Sequence, residues 1–196
     1  MSYFVFSPTS FVILTVAKCR LHAYLKDVPM ATKNPKDIVV RLLSDIRQGT
    51  ERTSKVFQEI SQAAQNPEIK QVLEARVFIS GQLLAKLDRC FQLIGEQPVK
   101  LSGRHHEVFV EDFHKELAEI ESQGARDLFI LAKALHVIHF RIAEYVALIE
   151  VADVAGNHGV GVLLESCLAD KLAFAERARR LIRKVVEAKV PERARV

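Results

Sequence analysis

The chain has 196 residues, 49% of them apolar, and a formal charge of +4, which is long enough for one domain to bury a core without metal or disulfide staples. Its three cysteines, Cys19, Cys90 and Cys167, are odd in number and show no C-x-x-C or zinc-type spacing. That argues against a disulfide framework and a zinc knuckle, and for a reducing, cytoplasmic setting. Eight glycines and six prolines, with no proline between Pro98 and Pro191, leave long uninterrupted stretches for helices and argue against extensive β-structure.

Residues 1–34 read as an N-terminal extension outside the fold. The apolar run Phe11 to Ala17 is far short of the roughly 20 residues that a bilayer requires. Lys18 and Arg20 follow this run, whereas a secretory signal carries its positive charge in front. Met30-Ala-Thr-Lys33 has the look of a natural start just before the first strong helix signal. No membrane association is expected.

The first helix begins at Asn34-Pro35, an N-cap followed by proline at the first helical position. It runs to about Ala64 with the stripe Leu43, Ile46, Thr50, Thr53, Phe57 and Ile60. Asn66-Pro67 repeats the start signal for a second helix with the seam Ile69, Val72/Leu73, Arg76, Ile79, Leu83, Leu87, Cys90 and Ile94, closed by Gly95. So short a connection makes the two helices antiparallel neighbours.

The irregular stretch from Gly95 to Gly103 leads to a shorter helix, Glu107 to Gln123, with Val108, Phe113, Leu117 and Ile120 on one side. A third long helix spans about Ala125 to Ala155 with Leu128, Leu131, Leu135, Ile138, Ile142, Tyr145 and Ile149, capped by Gly156. The fourth, about Gly159 to Lys189, shows Leu164, Cys167, Lys171, Phe174, Ala178, Leu181 and Val185, and Pro191 stops it. Two long helical pairs joined by a crossover predict an all-α, ferritin-like antiparallel four-helix bundle over residues 35–190, followed by a tail, 191–196.

Each stripe is apolar at its ends and polar in its middle: Thr50 and Thr53, Arg76, Arg141 beside Ile138, and Lys171. Unpaired charge at such a depth costs several kcal/mol, so these positions carry a purpose or reach water. In bundles of this kind the mid-layer is where carboxylates and histidines hold two metal ions.

Four stretches then mark a family: Lys55-Val-Phe-Gln-Glu-Ile-Ser61, Asn66-Pro-Glu-Ile-Lys70, Leu87-Asp-Arg-Cys-Phe-Gln-Leu-Ile-Gly-Glu-Gln-Pro98, and His139-Phe-Arg-Ile-Ala-Glu-Tyr145. From about Asp37 to Lys189 the chain resembles the YciE/YciF family of stress-associated, ferritin-like bacterial proteins. The third stretch is similar to the family's R-L-x-x-V-F-x-x-L-G-x-x-P, and the fourth falls where the family has V-E-H-Y-E-I-A-A-Y. The departures coincide with the metal ligands that the resemblance implies. Thr50 stands at the glutamate of S-A-E-K-Q, and Arg76 and Ile79 stand at an H-x-x-E pair. Ile138 and Arg141 replace the two glutamates around the retained His139, and Ala169-Asp170-Lys171 replaces D-E-E. His139 and Asp170 are the possible residual ligands, too few for a hard or borderline cation.

Other constellations carry less. Glu107, Glu111 and His114 read as the wet face of the short helix, His136 and His139 as boundary histidines, and His105-His106 as loop composition. The basic run Arg177 to Arg195 reads as a solvated helix end favoured by the helix dipole. No phosphate loop, dinucleotide fingerprint or G-x-S-x-G is present. The sequence therefore points to a non-enzymatic, cofactor-free bundle with a degenerate dinuclear site, a structural or stress-associated interaction protein. A homodimer is expected and nucleic acid is not. A metal-binding protein with a rearranged iron or manganese site, and an anion or nucleic-acid binder acting through its basic residues, are the alternatives.

Overall fold

The computed structural model describes residues 34–101 and 104–188; the expectations for the N-terminal extension, Cys19 and the tail after 190 fall outside them. Five helices occupy the described residues: α1 (Pro35–Ala63), α2 (Pro67–Ile94), α3 (His105–Ala118), α4 (Gln123–Val154) and α5 (His158–Glu187).

Local chemistry sets most of the boundaries. The Asn34 side chain accepts from Asp37 N at 2.9 Å while the Asp37 carboxylate accepts from Asn34 N at 3.2 Å, a reciprocal capping box. The Asn66 side chain accepts from the backbone of Glu68 and Ile69 in front of α2. Gly95 (φ 68) and Gly156 (φ 76) take the left-handed conformation that ends α2 and follows α4.

Neighbouring helices run antiparallel, as the contacts along their lengths show. Lys36 meets Glu96 and Arg47 meets Asp88 between α1 and α2. Glu68 meets Lys184 and Lys86 meets Asp170 between α2 and α5. Asn66, in the turn that follows α1, meets Asp127 near the start of α4, and Thr50 on α1 meets Tyr145 further along α4. The expected ferritin-like antiparallel four-helix bundle with a short crossover helix is the observed fold. Val56, Phe57, Ile60, Leu73, Ile130, Leu131 and Ala178 belong to its main core cluster, where the Phe57 and Phe174 rings meet edge to face at 5.1 Å.

The crossover segment is strapped along α1. Val99 N donates to Ser44 Oγ (3.0 Å), Leu101 N donates to Gln48 Oε1 (3.1 Å), and Gln48 Nε2 donates to Val99 O (2.6 Å). Phe113 and Leu117 anchor α3 in the core, whereas Val108, expected on the same stripe, is exposed. The short helix also starts and stops earlier than its sequence indicates. His105 and His106, read as loop, open it, and it ends at Ala118 instead of Gln123. There Arg126 Nη1 donates to the carbonyls of Leu117 and Ile120 (2.9 and 3.0 Å), and Ser122 Oγ accepts from Ala125 N to start α4. These partners satisfy backbone groups that a continuing helix would have used. No helix among the described residues is long and apolar enough to cross a membrane.

Candidate functional site

At mid-depth the polar interruptions of the four stripes converge on the bundle interior. Arg76, Arg141 and Lys171 are 2%, 1% and 1% exposed, and Thr50, Thr53 and Ile138 are equally enclosed. Three cationic side chains thus occupy the centre of a helical bundle, from α2, α4 and α5.

Arg141 is the best housed. Its Nη2 donates to Ile46 O at 2.7 Å, and its Nη1 forms an ion pair with Glu144 one turn along α4. Gly49 makes the room: a Cβ at that position would lie 2.1 Å from Arg141 Nη1. Gly49 stands at the alanine of the S-A-E-K-Q pattern, and Glu144 at the second alanine of V-E-H-Y-E-I-A-A-Y. Two neighbouring positions therefore depart from the pattern in the direction that a buried guanidinium requires. Burial pushes the Glu144 carboxyl up, to about 7, while Arg141 acts in the opposite direction.

Arg76 reaches Ser80 Oγ through Nη1 at 3.4 Å, and its guanidinium carbon lies 5.8 Å from the centre of the Phe57 ring. Burial depresses its pKa, opposed by Tyr145 and Asp170. Lys171 Nζ sits 3.9 Å over the centre of the Tyr145 ring, in cation–π geometry. Burial, reinforced by the charges of Arg76 and Arg141, pushes it down to about 6. The Tyr145 hydroxyl lies 3.4 Å from Thr50 Oγ1, which donates to Ile46 O at 2.8 Å; burial raises the phenol well above its usual range.

Beside this layer Thr53 Oγ1 lies 3.1 Å from His106 Nε2 on the crossover helix. Burial and the adjacent His105 push His106 down to about 4, so it is neutral at ordinary pH.

The remaining sequence candidates lie elsewhere. Ile79 is half-buried, and Ser80 takes the inward place beside Arg76, a shift of one residue that the rotation of α2 decides. His139 is exposed, with Nε2 3.3 Å from Arg179 on α5. Asp170 is half-buried and pairs with Lys86 at 3.2 Å. Neither joins the central layer, because each points to a seam between helices and is taken up by a cation there. Glu74, on α2 near Arg76, is exposed, and the acid that forms an ion pair within the layer is Glu144. Gly49, Ser80 and Glu144 are the residues that sequence reasoning missed. The i, i+3 spacing of Arg141 and Glu144 was the available signal.

On the crossover helix Glu107 pairs with Arg104 at 3.6 Å, His114 pairs with Glu59 at 3.5 Å, and Glu111 is exposed. In α5, Lys184 pairs with Glu68, while Arg180 and Arg183 share Glu176.

The arrangement is suited to holding negative charge and repels a dication. Its cost is testable at Lys171. At low ionic strength Lys171→Met, similar in length and without the charge, is expected to stabilise the protein by about 1 to 4 kcal/mol. The folded pKa of about 6 lies below the ordinary 10.5. The unfolded chain therefore binds the extra proton across that window, and wild-type stability rises with pH through it. The advantage of the variant should be greatest below pH 6 and shrink toward pH 10. Urea unfolding at pH 5.5 and 9.5 checks this; equal stability of both proteins at both values would contradict it.

Fold and layer together define a ferritin-like helical bundle with a cationic centre. Residues 34–191 match the family described as "Domain of unknown function (DUF892)", and the chain belongs to that family. It is 22% identical over 145 residues to the protein YciF of Escherichia coli K12, covering 74% of this chain and 87% of that protein. The crystal structure of the E. coli stress protein YciF superposes with a TM-score of 0.74 at 22% identity, over 81% of this chain and all of that one. A Rhodopseudomonas palustris protein, YcfI, proposed to be structural, gives a TM-score of 0.71 at 21% identity over 76% of this chain and 96% of that one.

Proposed function

We propose that this protein is a non-enzymatic ferritin-like bundle whose dinuclear metal layer has been replaced by a buried cationic layer, and that it serves as a structural or stress-associated interaction protein. The observation that carries this reading is the enclosure of Arg76, Arg141 and Lys171 at the depth where the family resemblance implies carboxylates and histidine. Guanidinium groups at this depth repel a metal dication. Gly49 and Glu144 support the reading further, since both accommodate Arg141. Relatives named as a stress protein and as a proposed structural protein agree with it. In this reading residues 35–190 form the working domain, 1–34 and 191–196 are appendages, and the protein acts in the cytoplasm as a homodimer.

The protein purified without an affinity tag should contain no stoichiometric iron, manganese or zinc and show no ferroxidase turnover. Combining Thr50→Glu, Arg76→His, Ile79→Glu, Ile138→Glu, Arg141→Glu and Lys171→Glu should raise metal affinity. Elemental analysis decides the matter. About two metal ions per unmodified chain, lost on replacing His139 or Asp170, would overturn the proposal in favour of a rearranged metal site.

A further inference from the structure

The charges of the central layer do not balance. Arg76, Arg141 and Lys171 are enclosed, and the acid paired within the layer is Glu144, which is committed to Arg141. Asp170 acts on Arg76 and Lys171 from a distance, but its side chain is 40% exposed and held by Lys86. Asp45, half-buried on α1, acts on Glu144 rather than on Arg76 or Lys171. Three donors in the layer have no acceptor, Arg76 Nε, Arg141 Nε and Lys171 Nζ, and Glu144 Oε2 meets Arg141 Nη1 as an ion pair without a hydrogen bond. An enclosed cation without a counter-charge is strongly disfavoured, and so is an enclosed N–H without an acceptor. Water would supply an acceptor but no charge.

We propose that the cationic layer binds one small monatomic anion, a halide such as chloride, through the free donors of Arg76, Arg141 and Lys171. This rests on the reading of the layer as a replaced metal centre: it exchanges a cation held by acids for an anion held by bases. Hydration selects the ligand. Phosphate or sulfate would bring four strongly hydrated oxygens into an enclosed, apolar-walled layer, whereas a halide accepts from these N–H groups without further polar partners. Phe57, Tyr145 and Ile138, all fully buried, favour a weakly hydrated ion over a strongly hydrated one.

The test uses the full chain in sodium gluconate at constant ionic strength and pH 5.5, where Lys171 is protonated, with gluconate replaced stepwise by bromide. The melting temperature should rise saturably, by on the order of 5 °C at saturation. Crystals grown with bromide should show an anomalous peak within hydrogen-bond distance of Arg76 Nε and Lys171 Nζ. Arg76→Met and Lys171→Met, each checked for folding by circular dichroism, should lose the bromide response. A flat melting temperature, an equal rise in both folded variants, or anomalous peaks at the surface alone (an adventitious ion only) would overturn the site. Elemental analysis of the same sample separates the two readings. Metal-free protein without a bromide response overturns the anion site alone, and metal in the layer overturns the proposed function with it.

Discussion

Gly49→Ala is expected to destabilise the bundle by about 3 to 5 kcal/mol, against the sign that helix propensity predicts. In a helix interior alanine is normally favoured over glycine by roughly 0.5 to 1 kcal/mol. Here the new Cβ would lie 2.1 Å from Nη1 and 2.6 Å from Cζ of Arg141. The guanidinium would have to leave Ile46 O and Glu144, and it has no solvent to move into at 1% exposure. Breaking a buried charge pair accounts for the magnitude. The control is the same substitution in an Arg141→Met background, where nothing is left to clash with. There Gly49→Ala should be neutral or mildly stabilising, giving a coupling of more than about 2 kcal/mol in the double-mutant cycle. Additive effects measured by urea denaturation would show that Gly49 is not the seat of Arg141.

Ile138→Ala should cost about 2 to 5 kcal/mol. Its side chain is fully enclosed and belongs to the main core cluster together with Phe57, Ala134 and Val137. In the proposed reading, the isoleucine sets hydrocarbon core where the family resemblance implies a metal-binding carboxylate. The cost arises from the lost transfer free energy of the deleted methyl and methylene groups and from the cavity they leave between four long helices that collapse poorly. Ile138→Val, which removes a single methylene, should cost only about 0.5 to 1.5 kcal/mol. A near-neutral Ile138→Ala in thermal or chemical unfolding would mean that the position does not carry the core.

The helices and most of their inward faces were legible because their signals are local. Asn34-Pro35 and Asn66-Pro67 cap the following turns through their own side chains, and Gly95 and Gly156 end helices because a left-handed residue suits glycine. The stripes Leu43 to Ile60 and Leu164 to Leu181 are buried as their spacing predicts, since a helix with 3.6 residues per turn can hide only one face. Likewise the unusual character of the centre could be read from Thr50, Arg76, Arg141 and Lys171 alone, as polar residues at matching depth.

Tertiary structure decided how those residues are accommodated. Ser80 instead of Ile79 faces inward because helix rotation is set by packing against α1 and α5, which spacing constrains only to within about a residue. The crossover helix stops at Ala118 because Arg126, eight positions on, takes up its carbonyls. His139 and Asp170 are drawn to Arg179 and Lys86, on other helices. The housing of Arg141 depends on the missing Cβ of Gly49 ninety-two positions away. Local periodicity determines which face of a helix turns inward; where a long, flexible charged side chain finds its partner is settled by the surfaces that the other helices bring to it.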